Sequence, residues 1–336
     1  MNNEPKIHHY IPQFILRNFT DENKQLTYWS IKDKKLSKRN PKSVFMNENM
    51  YRDESLDNPV QIENDFSLFE KEYSDIIHNK VLNTNKIILT RKEVEIIRIF
   101  LSLMSFRSNL RMKQYKEKLF DDSSRRLLQQ FQLNENYEQL WKRELNILTK
   151  CRSYDEINSS KDIDPIIKQE FMNDIQGQYM TFVEARGGDF LISDLYPTLE
   201  IFPLQNNINI HLHHFYPLSS NRMLVLNHIM FRPEKEDLNY ELKTMKSFSK
   251  ISGNLIEIPK TKYKLPGMIY SKDDVFIYNV KKIYKEDVEY INSLFLNEAN
   301  VGLAFKDSSR IIESIRSFNG LDNTKQKYED LESKIK

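Results

Sequence analysis

The chain has 336 residues, which is enough for one large domain or two smaller ones. Apolar residues make up 39% of it and charged residues 29%, a composition typical of a globular protein that excludes a wholly disordered chain. The formal net charge is only +2, so no whole-molecule field attracts the protein to nucleic acid or to a membrane. Any such contact must come from a local patch.

Three absences predict a cytoplasmic protein that makes no membrane contact. The N-terminal segment MNNEPKIHHYIPQF has no basic stretch followed by an apolar one, as a secretory signal would. No uninterrupted apolar run is long enough for a membrane-spanning helix. The single cysteine, Cys151, excludes an internal disulfide and a thiolate zinc site, and its neighbours show no sign of an activated thiol.

The N-terminal part, residues 1–60, alternates short apolar runs with turn residues and is predicted to be β-rich. Pro12 suits the start of a short helix over residues 13–19. Residues 26–31 (LTYWSI) predict a strand, and the polar turn that follows predicts a hairpin.

The middle of the chain, residues 61–185, is predicted to be helical. Apolar residues at helical spacing indicate a helix over about residues 60–82. Thr90 and Glu93 form a capping box that begins a second helix running to about residue 120. Further helices are predicted over residues 124–150 and 164–184.

Residues 186–318 are predicted to contain both strands and helices. Strands are predicted over residues 190–192, 208–214 and 223–229, with helices over residues 236–250 and 286–316. Residues 319–336 are polar and are expected to be a frayed tail. The predicted fold class is α+β, a single large domain with a mostly helical middle between a β-rich N-terminal segment and a β-rich C-terminal half.

The segment His8–Phe19 (HHYIPQFILRNF) closely resembles the opening signature of the domain-of-unknown-function family DUF4238. Other family landmarks follow in the expected order: Met50-Tyr51, Glu63 and Glu70, Phe106–Arg111, Phe190–Asp194, Tyr216–Ser219 and Asn292–Ala304. The resemblance covers about residues 7–310. It departs from the pattern where Leu195 and Tyr196 precede Pro197, and where the arginine segment lacks a proline. The resemblance implies a bacterial protein without an established activity.

Polar residues of the first landmarks are candidates for chemistry. His8 and His9 point to opposite faces of an extended chain, where a neutral imidazole serves as a base or a metal ligand. The alternative is one exposed and one hydrogen-bonded structural histidine. Tyr10, in the same motif, is a candidate for substrate binding. Glu63 and Glu70 share one helix face two turns apart and border the apolar stripe, which suits metal binding or general base catalysis. The alternative is a solvated edge that pairs with lysines.

Arg107 and Arg111 are predicted to point towards the core. On the helix that begins at Thr90, both project to the side of apolar residues such as Phe100, while polar residues such as Glu95 fill the opposite stripe. An inward arginine must have a partner, and its planar fork matches a carboxylate or a phosphate. Arg111 is therefore a candidate for substrate binding. The alternative is that the helix has left the core by residue 107.

Ser193 and Asp194 follow an apolar run, at a predicted strand end where ligand-binding groups often lie. Asp194 is a candidate metal ligand or arginine partner, and Ser193 a candidate for substrate binding, although both residue types also begin turns. His211 and His213 share one face of a regular strand and could chelate one metal ion, although a solvent-facing strand is the simpler interpretation.

Two hypotheses about function follow. The first is a metal-assisted hydrolase of a phosphodiester or nucleotide, a nuclease-like enzyme of bacterial anti-phage defence. His8 or His9, Glu63, Glu70 and Asp194 would surround Mg²⁺, Mn²⁺ or Zn²⁺ while Arg107 holds phosphate. The basic patch at residues 32–42 could touch nucleic acid, or could be a solvated hairpin face. The second is a non-catalytic sensor or binding module in which the same residues form a buried polar network that pairs Arg107 with Asp194, Glu63 or Glu70. The sequence leaves the oligomeric state open.

Overall fold

A computed structural model gives the fold. It describes residues 6–120, 136–176, 178–203, 209–228, 249, 251, 260–262 and 271–335. Helices and strands both occur in quantity and the sheets are largely antiparallel, so the predicted α+β class is confirmed. Among the described helices, none combines the length and the apolar character needed to cross a membrane.

The described helices are α1 (Gln13–Arg17), α2 (Gln61–Lys80), α3 (Arg91–Phe106), α4 (Asn109–Lys116), α5 (Tyr137–Leu148), α6 (Tyr154–Ser159), α7 (Pro165–Gln176), α8 (Lys285–Glu298), α9 (Ser308–Arg316), α10 (Asp322–Lys325) and α11 (Glu329–Ile335). The described strands are β1 (Ile7–His9), β2 (Leu26–Ser30), β3 (Lys35–Arg39), β4 (Met46–Glu48), β5 (Lys86–Thr90), β6 (Gln178–Ala185), β7 (Ile192–Ser193), β8 (Thr198–Pro203), β9 (Asn209–Pro217), β10 (Arg222–His228), β11 (Lys260–Lys262), β12 (Val275–Ile283) and β13 (Gly302–Phe305).

The chain divides into two compact units, each assembled from separated segments. The first unit contains residues 1–12, 45–77 and 90–176, and the second contains residues 13–44, 78–89 and 177–336. The N-terminal part is therefore shared between the two units, because β1 and β4 belong to the first and the hairpin β2–β3 to the second.

The first unit is mainly helical, with β1 and β4 pairing antiparallel. Helix α2 confirms the predicted helix over residues 60–82, and its apolar stripe supplies Phe69 and Tyr73 to the core. The Tyr73 ring stacks on Phe100 of α3 with ring centroids 4.0 Å apart, while Phe69 meets Phe100 edge-on at 5.6 Å. Burying one such aromatic side chain stabilises a fold by about 1.5–3 kcal/mol.

The helix predicted from Thr90 to residue 120 is interrupted, although its start is correct. Thr90 and Glu93 form the predicted capping box. Helix α3 ends at Phe106, and Ser108 begins α4, with its hydroxyl accepting a hydrogen bond from the Arg111 amide at 3.1 Å. A serine that caps a new helix competes with continuation of the old one, which explains the break. The helix predicted over residues 124–150 is described from Tyr137 only.

The described residues of the second unit form two sheets. In the described residues the larger sheet has seven strands in the order β11-β12-β6-β10-β9-β8, with β5 also paired to β12. The smaller sheet has the order β3-β2-β13-β7. The core of this unit joins residues of both sheets to α8, including Val225, Trp29 and Phe295.

Three further predictions are wrong, one where the first unit passes into the second and two within the second unit. The helix predicted over residues 164–184 ends at Gln176, and β6 follows. The helix predicted over residues 286–316 is split into α8 and α9 by β13. The expected frayed tail forms α10 and α11, buries Tyr328 and Leu331, and accepts a hydrogen bond from Trp29 Nε1 at the Lys327 carbonyl. The helix predicted over residues 236–250 lies outside the described residues, apart from Ser249.

Candidate functional site

A buried polar cluster surrounds Arg107 in the first unit. We call it the Arg107 cluster, and its members are His8, His9, Tyr51, Glu63, Phe66, Glu70 and Arg107. The Arg107 side chain is 1% exposed, so its predicted inward direction is confirmed. His9, Glu63 and Arg107 come from separated segments, yet the fold brings them together.

Each guanidinium nitrogen of Arg107 donates a hydrogen bond. Nη1 donates to Glu70 Oε1 at 2.7 Å, Nη2 to the His9 carbonyl, and Nε to the Tyr51 hydroxyl at 3.3 Å. The guanidinium also lies flat over an aromatic ring, with its central carbon 3.8 Å from the ring centroid of Phe66. Glu70 is therefore the carboxylate partner, one of the three that the sequence predicted.

The end of α3 fixes Arg107 in place. The last carbonyls of a helix have no partner within it. Here the Trp141 indole donates to the Phe106 carbonyl at 2.9 Å, and the Tyr51 hydroxyl donates to the Arg107 carbonyl at 2.9 Å. Tyr51 thus contacts both the backbone and the side chain of Arg107, and the break after α3 helps to build the cluster.

Electrostatics keep Arg107 charged despite its burial. Burial disfavours the cation, but Tyr51, Glu70 and Glu63 outweigh that cost and raise the pKa of Arg107 above its usual value. Burial raises the pKa of the Tyr51 phenol to about 12, although Arg107 acts in the opposite direction. At neutral pH the centre of the cluster is a guanidinium cation beside a neutral phenol.

His8 is a buried, hydrogen-bonded residue. Its Nδ1 accepts a hydrogen bond from the Tyr51 amide at 2.9 Å, and its ring is parallel to the Tyr51 ring, with centroids 5.5 Å apart. A neutral imidazole that accepts at Nδ1 carries its proton on Nε2. His9 contributes its backbone carbonyl to Arg107. The histidine pair is thus built into the cluster and not exposed.

Glu63 is the member of the cluster whose carboxyl pKa is raised to near neutral pH. Burial raises the pKa of its carboxyl to about 7; Arg107 acts in the opposite direction and Glu70 adds to the rise. Its Oε2 is buried and has no hydrogen-bond partner. Glu70 forms an ion pair with Arg107 and the charge of Glu63 also acts on Arg107, as expected for two carboxyls on one face of α2. A carboxyl that titrates near neutral pH can donate or accept a proton in catalysis.

Tyr10 and Arg111 are not members of the Arg107 cluster. Tyr10 is 3% exposed and meets Phe45 edge-on, which argues against the predicted contact with a substrate. Arg111 lies on α4, half-buried, and donates to Gln114 Oε1 at 3.0 Å. The single-helix geometry that predicted an inward Arg111 does not apply, because the helix breaks after Arg107.

Ser193 and Asp194 lie in the second unit and form structural contacts there. The Ser193 hydroxyl accepts from the Leu195 amide at 3.2 Å, as in an ordinary turn. Asp194 Oδ1 accepts from three consecutive amides, those of Asn300, Val301 and Gly302, at 2.8–3.2 Å. The predicted pairing of Asp194 with Arg107 is wrong, because Asp194 holds the turn that leads into β13.

His211 and His213 do not share a face. Glu200 pairs with His213 and the next residue, Ile201, pairs with His211, so Leu212 is an extra residue in β9. This β-bulge shifts the alternation of side chains and places the His211 ring beside His214, with centroids 5.4 Å apart. His213 points the other way, where burial lowers its pKa to about 3. Within the described ranges, no group of three or more His, Cys, Asp or Glu side chains could hold a metal ion.

The basic segment at residues 32–42 forms a turn and strand β3, an edge strand of the smaller sheet. Its neighbour Trp29 is fully buried, and its indole nitrogen donates to the Lys327 carbonyl at 3.1 Å. Cys151 is buried, and burial raises the pKa of its thiol to about 11, in agreement with the expectation that it is not activated.

Sequence reasoning missed Tyr51, Phe66 and Trp141 as parts of the site. Tyr51 lies in a family landmark, and Phe66 lies in the apolar stripe of α2, but neither signal reveals a contact with Arg107.

Comparison with known proteins gives one match. The model of the family described as Protein of unknown function (DUF4238) matches residues 7–309. The chain belongs to this family. In this DUF4238 protein all members of the Arg107 cluster lie inside the matched range, and the resemblance based on the His8–Phe19 motif is confirmed. No curated protein matches the chain, and no solved structure matches it.

Proposed function

We propose that this DUF4238 protein is a hydrolase of phosphodiester or nucleotide substrates in which Glu63 is the general base. One observation carries the proposal: Glu63 has a carboxyl pKa of about 7 and a buried Oε2 without a hydrogen-bond partner. Enzymes commonly tune a catalytic carboxyl to this range by burial. The proposed setting is the bacterial cytoplasm, in a nuclease-like defence role.

The proposed step uses Glu63 alone as the proton acceptor. The ionised carboxylate takes a proton from a water molecule, the water oxygen attacks phosphorus, and the bond to the leaving oxygen breaks. Solvent then protonates the leaving oxygen. Arg107 has a different role from the one first expected, because all of its nitrogens already donate to Glu70, His9 and Tyr51. It orients α2 and its carboxyls, and does not hold phosphate.

A second candidate function is a non-catalytic sensor or binding module. The specific observation in its favour is that every nitrogen of Arg107 donates a hydrogen bond inside the cluster, since a buried hydrogen-bonded network can fix one structure without any chemistry. This function requires no turnover of any substrate.

Hydrolysis assays on the whole chain separate the two functions. The substrates are bis(p-nitrophenyl) phosphate, single- and double-stranded DNA, RNA and nucleoside triphosphates, each with and without Mg²⁺, Mn²⁺ or Zn²⁺. Under the proposal, Glu63→Gln lowers the rate by about 100-fold or more. The rate of the unchanged protein rises with pH through about 7, because the base must be ionised.

The matched control is Glu298→Gln. Burial also raises the pKa of the Glu298 carboxyl to about 7, but Glu298 lies in the second unit. The Glu298→Gln variant should hydrolyse the substrates at the unchanged rate. Equal loss in both variants, or full activity in Glu63→Gln, contradicts the assignment of the base. Absence of turnover on every substrate contradicts the hydrolase and leaves the binding module.

A further inference from the structure

A second buried arginine, Arg222, lies in the other unit and is incompletely paired. It begins β10, where the residue is 4% exposed. Its Nη2 donates to Glu184 Oε2 and to the Leu82 carbonyl, each at 3.3 Å. Its Nε and Nη1 are buried and have no hydrogen-bond partner. A buried charged donor without a partner is costly, and bound water or an ion is a common explanation.

The charges around Arg222 are unbalanced. Glu184 is shared with a second arginine, because Arg186 Nη2 lies 2.5 Å from Glu184 Oε1. Lys282 occupies the register position next to Glu184 on the parallel strand β12, and therefore lies on the same face of the sheet. Two arginines thus share one carboxylate, and a third cation, Lys282, occupies the neighbouring position on the same face of the sheet. Glu184, Arg186, Arg222 and Lys282 are called the Arg222 cluster below.

The members of the Arg222 cluster range from buried to exposed. The Arg222 and Glu184 side chains are only 5% and 10% exposed, whereas Arg186 is 48% exposed and Lys282 is exposed. The two exposed cations lie at the surface, whereas the N–H groups of Arg222 that lack partners are buried. The excess of two positive charges favours a phosphate group, which carries nearly two negative charges near neutral pH, over a single carboxylate.

We propose that the Arg222 cluster is a binding site for the phosphate group of a small ligand, with the Nε–H and Nη1–H groups of Arg222 as its buried donors. Arg186 and Lys282 supply the outer positive charge, and Glu184 orients Arg222 through Nη2. The site is formed by strand ends of the second unit and does not depend on the hydrolase chemistry proposed for Glu63.

Calorimetric titration of the whole chain with inorganic phosphate tests this site, with chloride at matched ionic strength as the blank. A nucleoside monophosphate is titrated in parallel, to distinguish free phosphate from a phosphate monoester. The unchanged protein should bind at least one of the two. Arg222→Met should weaken that binding at least about tenfold, because it removes both unpaired donors. Arg222→Lys keeps the charge but not the guanidinium geometry, and should bind more weakly than the unchanged protein.

Arg316→Met is the control. Arg316 is a half-exposed arginine of the same unit, paired with Glu313 and Glu332, and its loss should leave phosphate binding unchanged. If Arg222→Met does not fold, Arg222→Lys alone carries the comparison. Absence of binding of either probe to the unchanged protein overturns the proposal, and so does equal binding by the unchanged protein and the Arg222 variants. Hydrolase activity is not measured in this experiment, so failure here is distinct from failure of the Glu63 proposal.

Discussion

The two buried arginines differ in how well their hydrogen bonds are satisfied. Both are almost inaccessible to solvent, with Arg107 1% exposed and Arg222 4% exposed. All three nitrogens of Arg107 donate to partners of its own unit, whereas only Nη2 of Arg222 does so. Because buried donors without partners are destabilising, an arginine with a partner at each nitrogen favours a structural role, and one with two nitrogens without partners favours the ligand site that we propose. Burial alone does not distinguish the two roles.

Replacement of Arg107 should give the largest effect. Arg107→Leu leaves the His9 carbonyl and the Tyr51 hydroxyl without a donor and removes the counter-charge of Glu70, so we expect a loss of about 3–5 kcal/mol in the free energy of unfolding. Arg107→Lys keeps the charge but cannot reach three partners, and it should lower the free energy of unfolding by less than Arg107→Leu does. Urea unfolding followed by circular dichroism measures both. A loss below about 1 kcal/mol for the Leu variant would show that Arg107 is not an anchor.

Replacement of Glu63 should have a smaller effect that depends on pH. The folded pKa of about 7 lies above the ordinary 4.5, so the stability contributed by this carboxyl is complete below pH 4.5 and is lost as the pH rises through 7. Glutamine does not ionise, so Glu63→Gln removes this loss of stability at high pH. We compare the free energy of unfolding of the variant with that of the unchanged protein at each pH. This difference should favour the variant by roughly 1–3 kcal/mol more at pH 8 than at pH 4.

Unfolding measured across this pH range checks the prediction for Glu63. Glu117→Gln, at an exposed carboxyl of the same unit, is the control and should show no comparable gain. A stability difference between Glu63→Gln and the unchanged protein that stays constant from pH 4 to pH 8 would remove the support for a raised pKa.

Replacement of Arg222 should give the smallest effect in phosphate-free buffer. Arg222→Met removes the two long Nη2 hydrogen bonds together with two donors that lack partners, and Glu184 keeps its ion pair with Arg186, so the free energy of unfolding should change by only about 1 kcal/mol. Thermal and urea unfolding measure this change. A loss as large as that of Arg107→Leu would mean that Arg222 is also an anchor, and the contrast between the two arginines would disappear.

The sequence predicted those features that depend on local pattern. The apolar stripe of α2, the capping box at Thr90 and the hairpin β2–β3 are all confirmed, because each needs only residues that are near one another in the chain. The inward direction of Arg107 was also predictable, because its helical position places it on the same side as the apolar residues that face the core.

Features that depend on distant contacts were not predictable. Every residue of β6 is buried, so both faces are covered and the strand lacks the alternation that distinguishes it from a helix. The bulge at Leu212 reverses the face of His211, and only the pairing of β9 with β8 reveals it. The sequence required a carboxylate for Arg107 but could not choose Glu70 over Glu63 or Asp194, because that choice is made by tertiary packing.

The most direct test of the account is the titration of Glu63 itself. Glutamate side chains labelled with ¹³C at the carboxyl carbon report each protonation by a change in chemical shift, and the signal that is absent in Glu63→Gln assigns the residue. If Glu63 is the general base, its carboxyl should titrate with a midpoint near pH 7. A midpoint near the ordinary value of 4.5 would contradict this assignment, because Glu63 would then be an ordinary carboxylate and the proposed base would have no basis.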